Sequence, residues 1–418
     1  MRKCKGMKDL LPEDMARFRR VEDVFRESCS RFGYSEVRTP TLEFLHCFTS
    51  TGTLTPQMLR SVYSFLDWDG WSGERVVLRP DGTIPLARLF VEHFPQARGV
   101  HKFFYVENVF RFTESDEEAR ERWQCGAELV GSSLPQADAE LVVLALDLLG
   151  RLCLGPVSVQ VSHAGVLRHL LEQLDLGPEE QANVFDEIQE GDLQALGLAA
   201  REHPRVGRLL PLLLEPKGQS SGFLKNLKAS LVAEFPGLAV EFDNFIRLAD
   251  LLTLLGCPYE INFALPGGFE YYTGFMFQVS VNGEKVGGGG RYDELLPLVG
   301  GPAIPSSGFA LYTDRLMAAL SPQLDPRESG ARRVLLKTSA PTPDALKECF
   351  ELASQLHKEG MTAEVDLGQD QGGYTHVIGS SDGSSTGFYE VEELSSGKKT
   401  RVSVKEIQGL LRVLGTAE

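Results

Sequence analysis

The spacing of apolar and polar residues predicts helices along much of the chain. Between residues 13 and 32, apolar positions recur at helical spacing and are followed by Gly33, which predicts an amphipathic helix with a glycine stop. Arg79-Pro80-Asp81-Gly82-Thr83 forms a turn that opens another helix near Ile84, with Thr83 as its N-cap. Further helices are predicted over 138–152, 342–357 and 405–414.

Other segments alternate with the period of a strand. Strands are predicted over 34–38, 61–66, 75–78, 102–111, 122–130, 158–161, 334–337, 362–365 and 376–378. In the 122–130 strand, Arg122, Gln124, Gly126 and Glu128 share one face. Gln124 and Glu128 flank a glycine gap, which suits either recognition of a small polar ligand or an ordinary solvated face.

The stretch 267–316 holds the most pronounced pattern. Alternate residues from Phe269 to Val279 are nearly all apolar, and the opposite face is mixed and broken by Gly274. Asn282-Gly283 predicts a hairpin turn, and the returning strand enters four glycines, Gly287 to Gly290. The glycine run allows a second group to approach the backbone closely, or it only relieves crowding in a bent strand.

Composition bounds the class of protein. The chain has 418 residues, 42% apolar and 24% charged, which predicts two or three globular domains. The seven cysteines and eight histidines show no metal-binding spacing, so no metal site is predicted. No apolar segment reaches the roughly 20 residues that span a bilayer, and the start lacks a signal-peptide pattern, so we expect a cytoplasmic location.

Charge and local composition divide the chain further. A net charge of -16 disfavours a broad surface for nucleic acid, including tRNA. Residues from about 164 to 255 are leucine-rich with a helical pattern, which predicts a helical insertion. The polar segment 321–333 predicts a linker, and the strands and helices after it predict a small α/β domain.

Several of these stretches occur in a family's order. The chain resembles the histidyl branch of the class II aminoacyl-tRNA synthetases in KGMKDLLPED, FGYSEVRTP, LRPDGT, ERWQCGAELVG, EYYTGFMF, GGGGRYDEL and SSGFALYTDRL. The resemblance implies an α+β fold with an antiparallel sheet flanked by helices over residues 1–325. It also implies dimerisation around Pro40 and an anticodon-binding-like α/β domain over 334–418.

The resemblance also implies site residues. The residues that match the family's histidine pocket are Asp81, Thr83, Gln124, Glu128, Tyr271 and Tyr272. The nucleotide or phosphate candidates are Arg111 and Arg315, which match the family's motif 2 and motif 3 arginines, and Arg291. No catalytic residue is predicted.

Two departures from the family bear on activity. The synthetases have an arginine at the position of Gly267, and an uncharged residue cannot replace a charged group at the reacting carboxylate. The motif 2 loop reads TESDEEARE, whose carboxylates oppose the binding of a triphosphate. A synthetase fold can be kept after its chemistry is lost.

We therefore predict a non-ligating paralogue, the regulatory subunit of ATP phosphoribosyltransferase in histidine biosynthesis. Its predicted partners are a second copy of the chain and the short-form catalytic subunit, with histidine as a candidate ligand and no tRNA or membrane. The alternatives are an active histidine-tRNA ligase, which alone would need ATP and Mg²⁺, and a stand-alone histidine or nucleotide sensor.

Overall fold

The structure is a computed structural model that divides into two compact units, Met1–Ser321 and Pro322–Glu418. It describes residues 3–51, 58–68, 73–96, 98–113, 119–172, 177, 217–265, 272–320, 332–338, 342–369, 372–380, 388–403 and 414. Five predicted features lie wholly or largely outside these residues: Gly267, Tyr271, most of the acidic loop over 114–121, the linker over 321–333 and the final helix over 405–414. Much of the predicted insertion, 173–176 and 178–216, lies outside them as well.

Helices are described in both units. In the first unit they are α1 (Pro12–Arg31), α2 (Leu45–Thr49), α3 (Thr83–His93), α4 (Pro135–Arg151), α5 (Ala164–Glu172), α6 (Ser221–Leu231), α7 (Leu238–Leu254), α8 (Leu295–Leu298) and α9 (Thr313–Ala319). The second unit contains α10 (Pro343–Lys358). No helix in the described ranges has the length and apolar character needed to cross a membrane.

Strands of the first unit form two sheets. They are β1 (Ser35–Glu36), β2 (Leu42–Phe44), β3 (Ser64–Trp68), β4 (Gly73–Leu78), β5 (His101–Phe110), β6 (Glu121–Val130), β7 (Val157–His163), β8 (Glu260–Ile261), β9 (Phe275–Val281), β10 (Glu284–Arg291) and β11 (Ser306–Tyr312). The larger sheet has the order β1-β5-β6-β11-β10-β9-β7-β8, and the smaller has the order β2-β4-β3. Pairing in the larger sheet is antiparallel except at its two edges, β1 with β5 and β7 with β8.

Helices cover one face of the larger sheet, which we call the back face. Phe18 of α1 meets Trp123 edge-on, with ring centroids 5.0 Å apart, and Phe245 of α7 lies 6.4 Å from Phe275. Trp123 belongs to the predicted apolar face of its strand, and Phe275 to that of β9. The predicted division of both strands into a core face and a mixed face therefore agrees with the structure.

The turn into the glycine strand is also as predicted. Asn282 and Gly283 join β9 to β10 and both adopt positive φ, 52° and 84°. A two-residue turn with positive φ at both positions matches the twist of paired strands, and Asn-Gly is the pair that adopts it most readily.

The start of α3 corrects one prediction. The cap residue of this helix is Gly82 and not Thr83, which is already its first helical residue. The Asp81 carboxylate accepts hydrogen bonds from the backbone N–H groups of Thr83, at 2.8 Å, and Ile84, at 3.0 Å. The Asp81 side chain, one residue before the cap position, therefore supplies the capping hydrogen bonds, because its carboxylate satisfies amides that have no partner within the helix.

The second unit contains a five-stranded sheet. Its strands are β12 (Arg333–Lys337), β13 (Thr362–Val365), β14 (His376–Ser380), β15 (Phe388–Glu393) and β16 (Lys398–Ser403), in the order β13-β12-β14-β15-β16. The first three are parallel and the last two form an antiparallel hairpin. Strands β15 and β16 were not predicted, because few of their side chains are apolar; Val391 and Val402 are buried here.

Candidate functional site

The opposite face of the larger sheet, which we call the pocket face, carries the predicted ligand-binding residues of β6. The strand register places Glu128 opposite Gly308 of β11, Gly308 opposite Gly290 of β10, and Gly290 opposite Met276 of β9. The central strands thus present glycines where Glu128 and Met276 present side chains. Since paired strands lie about 4.8 Å apart, a floor without side chains separates these two walls by roughly 14 Å.

Glycine is required along this floor because other side chains occupy the space above it. A Cβ at Gly308 would lie 1.6 Å from the Glu128 Oε2 atom, and one at Gly290 would lie 2.9 Å from the Tyr272 ring. A Cβ at Gly126 would lie 2.1 Å from the ring of Tyr105. Close approach of other groups is therefore a real property of the pocket face.

The crowding explanation for the glycine run also holds, on the back face. There a Cβ at Gly287 would lie 2.3 Å from the carbonyl oxygen of Ala310, and one at Gly289 would lie 2.1 Å from that of Gly308. Alternate glycines of the run thus serve different purposes on the two faces.

Glu128 is the buried polar centre of the pocket face, with no exposed surface. Its Oε1 atom accepts a hydrogen bond from the Thr83 hydroxyl at 2.8 Å, and its Oε2 atom is hydrogen-bonded to the Tyr292 hydroxyl. Burial raises the pKa of Glu128 from 4.5 to about 8, although both hydrogen bonds act to lower it. The carboxyl group is therefore mostly protonated at neutral pH.

Gln124 shares the face with Glu128 and is also buried. Its side-chain oxygen has no hydrogen-bond partner in the described part of the chain. Buried polar atoms are normally paired, so an unpaired acceptor here favours a ligand that donates an N–H group.

Two predicted pocket residues lie next to this pair. Tyr272 is buried, and its ring centroid lies 6.4 Å from that of Tyr292. The Asp81 carboxylate satisfies the first backbone amides of α3, so the Thr83 hydroxyl does not have to cap the helix. It donates to Glu128 from the first turn instead. Burial raises the pKa of Asp81, and the helix amides and the charge of Arg111 oppose that rise.

Cationic side chains gather near one end of the pocket face. Arg315 of α9 lies over the Tyr312 ring at 5.2 Å, and Arg122 lies over the same ring at 5.8 Å. Arg315 also donates to the carbonyl oxygen of Lys285 at 2.5 Å. Burial and the nearby charge of Arg315 lower the pKa of Lys285 from 10.5 to about 8.

Arg111 lies at the end of β5 and is exposed. Its Nε atom donates to the carbonyl oxygen of Pro80 at 3.1 Å, which fixes the side chain beside Asp81. Arg111 and Arg315 are thus placed where a negatively charged ligand could reach them from solvent.

Arg291 is not brought to the pocket. It projects to the back face, where its guanidinium makes two hydrogen bonds to the Asp138 carboxylate of α4, at 2.8 and 3.1 Å. It also donates to Ser132 O and to Asp293 Oδ1. A buried guanidinium with these partners ties β10 to α4 and is not available to a nucleotide.

Tyr292 is the pocket residue that sequence reasoning missed. Strand alternation could have identified Tyr292, because it follows Gly290 by two residues and therefore lies on the same face of the sheet. The motif resemblance drew attention to the neighbouring arginine instead.

The arrangement suits a small ligand that carries N–H donors and an anionic group. Glu128 and Gln124 offer acceptors in a buried setting, and Arg111 and Arg315 offer positive charge nearby. Within the described ranges, no group of three or more metal-ligating side chains lies close enough to hold an ion.

Comparisons with known proteins agree with this geometry. A family model described as histidyl-tRNA synthetase matches residues 6–316. An ATP phosphoribosyltransferase regulatory subunit of Dehalococcoides mccartyi is 48% identical over 87% of each chain. A histidine–tRNA ligase of Archaeoglobus fulgidus is 33% identical over 87% of this chain and 85% of its own.

Among solved structures, one from Bacillus halodurans has a TM-score of 0.74 at 24% identity, covering 90% of this chain and 97% of its own. It is described as an ATP phosphoribosyltransferase regulatory subunit/histidyl-tRNA synthetase. This likeness confirms the predicted class II synthetase-like fold.

Proposed function

The chain belongs to the histidyl-tRNA synthetase family, and from this premise we propose that it is an ATP phosphoribosyltransferase regulatory subunit that does not charge tRNA. The observation that carries the proposal is the 48% identity to a regulatory subunit over 87% of each chain. The ligase of the same family is more distant, at 33%. This agrees with the function predicted from Gly267 and the acidic loop.

In this role the protein assembles with a short-form catalytic subunit and changes that subunit's activity. Regulation of this kind requires that the regulatory chain, or a ligand bound to it, interact differently with the active and inhibited states of its partner. We propose that histidine in the pocket supplies this difference. Its ammonium or ring N–H groups would donate to Gln124 and Glu128.

The decisive experiment measures two activities of the purified chain. We expect no histidine-dependent ATP/pyrophosphate exchange. We also expect a clear increase in phosphoribosyltransferase activity when the chain is added to the short-form catalytic subunit. Robust exchange without any effect on the catalytic subunit would identify a ligase instead.

The pocket has its own test. Gln124→Ala and Glu128→Ala should each abolish calorimetrically measured histidine binding, while both variants still co-purify with the catalytic subunit. Binding of histidine with no co-purification by the unaltered chain would favour a stand-alone sensor. Unchanged histidine affinity in both variants would mean that the ligand lies elsewhere.

We further propose that the chain forms a homodimer through the smaller sheet. Phe44 of β2, Val76 of β4 and Phe65 of β3 lie in one row, and both phenylalanines are exposed, by 42% and 46%. On the other face of the same edge strand, β3, Leu66 and Trp68 are exposed as well. Exposed apolar side chains grouped in this way are typical of a protein interface.

The dimer is tested by light scattering after size-exclusion chromatography. Phe65→Asp should shift the chain to a monomer, because the charge would be buried without a partner in the interface. Phe350→Asp is the matched control, since Phe350 is also exposed, at 60%, but lies in the second unit. A monomeric unaltered chain would contradict the proposal.

A further inference from the structure

A second cavity lies at the start of β6, where Trp123 projects to the back face and Arg122 to the pocket face. It has a volume of about 250 Å³ and is bounded by the N-terminal segment, α1, the start of β6 and α9. Its apolar wall is formed by Leu10, Phe18, Trp123 and Met317. We call this cavity the α1–α9 groove.

The rim of the groove carries both signs of charge. Lys8 and Asp14 pair with each other at 3.6 Å, and Glu121 accepts a hydrogen bond from Asn108 at 2.9 Å. Two other rim residues of opposite charge, Arg17 and Asp314, have no ion-pair partner among the described residues. The groove therefore combines an aromatic wall with charged side chains of both signs that lack an ion-pair partner in the described part of the chain.

We propose that the α1–α9 groove binds a free amino acid with an aromatic or long apolar side chain. Arg17 would hold the carboxylate, Asp314 the ammonium group, and the rings of Phe18 and Trp123 the side chain. The groove volume of about 250 Å³ lies below the roughly 300–1,000 Å³ of pockets for drug-sized molecules, which suits a smaller ligand such as a free amino acid. A nucleotide, which is larger and carries more negative charge, fits neither the size nor the mixed rim.

The groove also has a physical connection to the pocket face. Arg122 lines the groove, and its guanidinium lies over Tyr312, the same ring that Arg315 contacts. Gln124 is two residues further along β6 and faces the pocket. A ligand that moved Arg122 would thus alter the cationic end of the pocket face, which makes the groove a second effector site for the chain.

Trp123 provides a direct reporter of occupancy. The chain has three tryptophans, and the double variant W68F/W71F leaves Trp123 alone. Titration of this variant with L-phenylalanine or L-leucine should change the Trp123 emission in a saturable way. N-acetyl-L-phenylalanine and L-phenylalaninamide, which each lack one charge of the amino acid, should bind about tenfold more weakly.

Substitutions at the rim test which side chains bind the amino acid. In the same background, Arg17→Gln and Asp314→Asn should each weaken L-phenylalanine binding about tenfold, because each removes a charge-assisted hydrogen bond. Arg31→Gln, at the far end of the same helix, is the matched control and should leave the affinity unchanged.

The proposal is overturned by either of two results. One is the lack of any saturable change in emission at millimolar amino acid. The other is binding that is lost in Glu128→Ala but unaffected in Arg17→Gln and Asp314→Asn, which would place the amino acid in the pocket beside Glu128. Melting curves of the variants confirm that each is folded.

Discussion

Glu128 shows how strongly surroundings determine the state of one residue. On an exposed strand the same carboxyl group would be charged at neutral pH, whereas here its burial raises the pKa to about 8. A neutral acid can remain buried with the Thr83 and Tyr292 hydroxyls as hydrogen-bond partners. A cationic ligand that enters the pocket would favour the charged form and release the proton.

This pKa predicts how stability depends on pH. Between about pH 4.5 and pH 8 the folded chain keeps the Glu128 proton and the unfolded chain does not. The folded state therefore binds more protons, and the free energy of unfolding falls as pH rises through this range, by at most about 1.4 kcal/mol per pH unit. This contribution is fully present below pH 4.5 and is lost as pH passes through 8.

Glu128→Gln removes the titrating group and keeps the shape of the side chain. We expect its free energy of unfolding, measured with urea at pH 5, 6, 7 and 8, to fall less steeply than that of the unaltered chain. Every other group is common to both proteins, so the difference in slope isolates Glu128. Parallel pH profiles would show that Glu128 is ionised in the folded state.

Gly308 predicts a second effect of a single residue. Gly308→Ala places a methyl group where the Glu128 carboxyl now lies, so it should expel that side chain and abolish pocket binding. Overpacking of this kind costs roughly 1–3 kcal/mol of stability, measurable by urea unfolding. Gly150→Ala, in α4 with open space around it, is the control and should be neutral or stabilising by roughly 0.5–1 kcal/mol.

Sequence reasoning reached some of these residues and not others. Strand parity placed Gln124 and Glu128 on one face because a strand alternates strictly. It could not show that the Asp81 carboxylate, and not the Thr83 hydroxyl, satisfies the first amides of α3, since both residue types commonly cap helices. The partner of each side chain depends on the register between strands distant in sequence, which no local pattern contains.

At the scale of elements, the contact between Arg291 and Asp138 joins β10 to α4. Burial raises the pKa of Asp138, and the charge of Arg291 opposes that rise. Arg291→Met leaves the Asp138 carboxyl buried without its partner and should destabilise the chain by roughly 3–5 kcal/mol in urea unfolding.

The double variant R291M/D138L provides the control for this prediction. Apolar replacement of both partners removes the buried charge, so much of the lost stability should return. Because Arg291 lies on the back face, histidine binding per folded molecule should stay the same in the double variant. A large loss of affinity there would instead place Arg291 in the binding machinery.

Elements with strong apolar periodicity were predicted well. The helix over 13–32 corresponds to α1 because the apolar residues whose spacing predicted it, Phe18, Val21, Phe25 and Cys29, are buried in the core. The β15–β16 hairpin was missed because most of its side chains are charged or half-exposed. Its sequence therefore shows little apolar alternation and resembles that of a solvated loop. The hairpin is stabilised by pairing with β14, and a local sequence pattern does not show which strands pair.

For the whole molecule, the change in composition near residue 321 was the informative signal. A polar, proline-containing segment over 321–333 predicts a linker after a first domain that ends near residue 325. The chain divides into its two compact units between Ser321 and Pro322. Their buried apolar residues form separate clusters: one includes Phe277 and Phe309 of the larger sheet, and the other includes Leu336 and Ile378. Each unit thus has its own core, which is the requirement for independent folding.

Separate cores predict the result of truncation. A chain that ends at Ser321 keeps the larger sheet, the pocket face and the α1–α9 groove, and it loses only the second cluster of buried residues. We expect it to unfold cooperatively in urea, with a free energy within about 0.5 kcal/mol of the value for the first unit in the full chain. Histidine binding, measured by calorimetry, should also be retained. Aggregation or a broad transition of the shortened chain would show that the first unit depends on residues after 321.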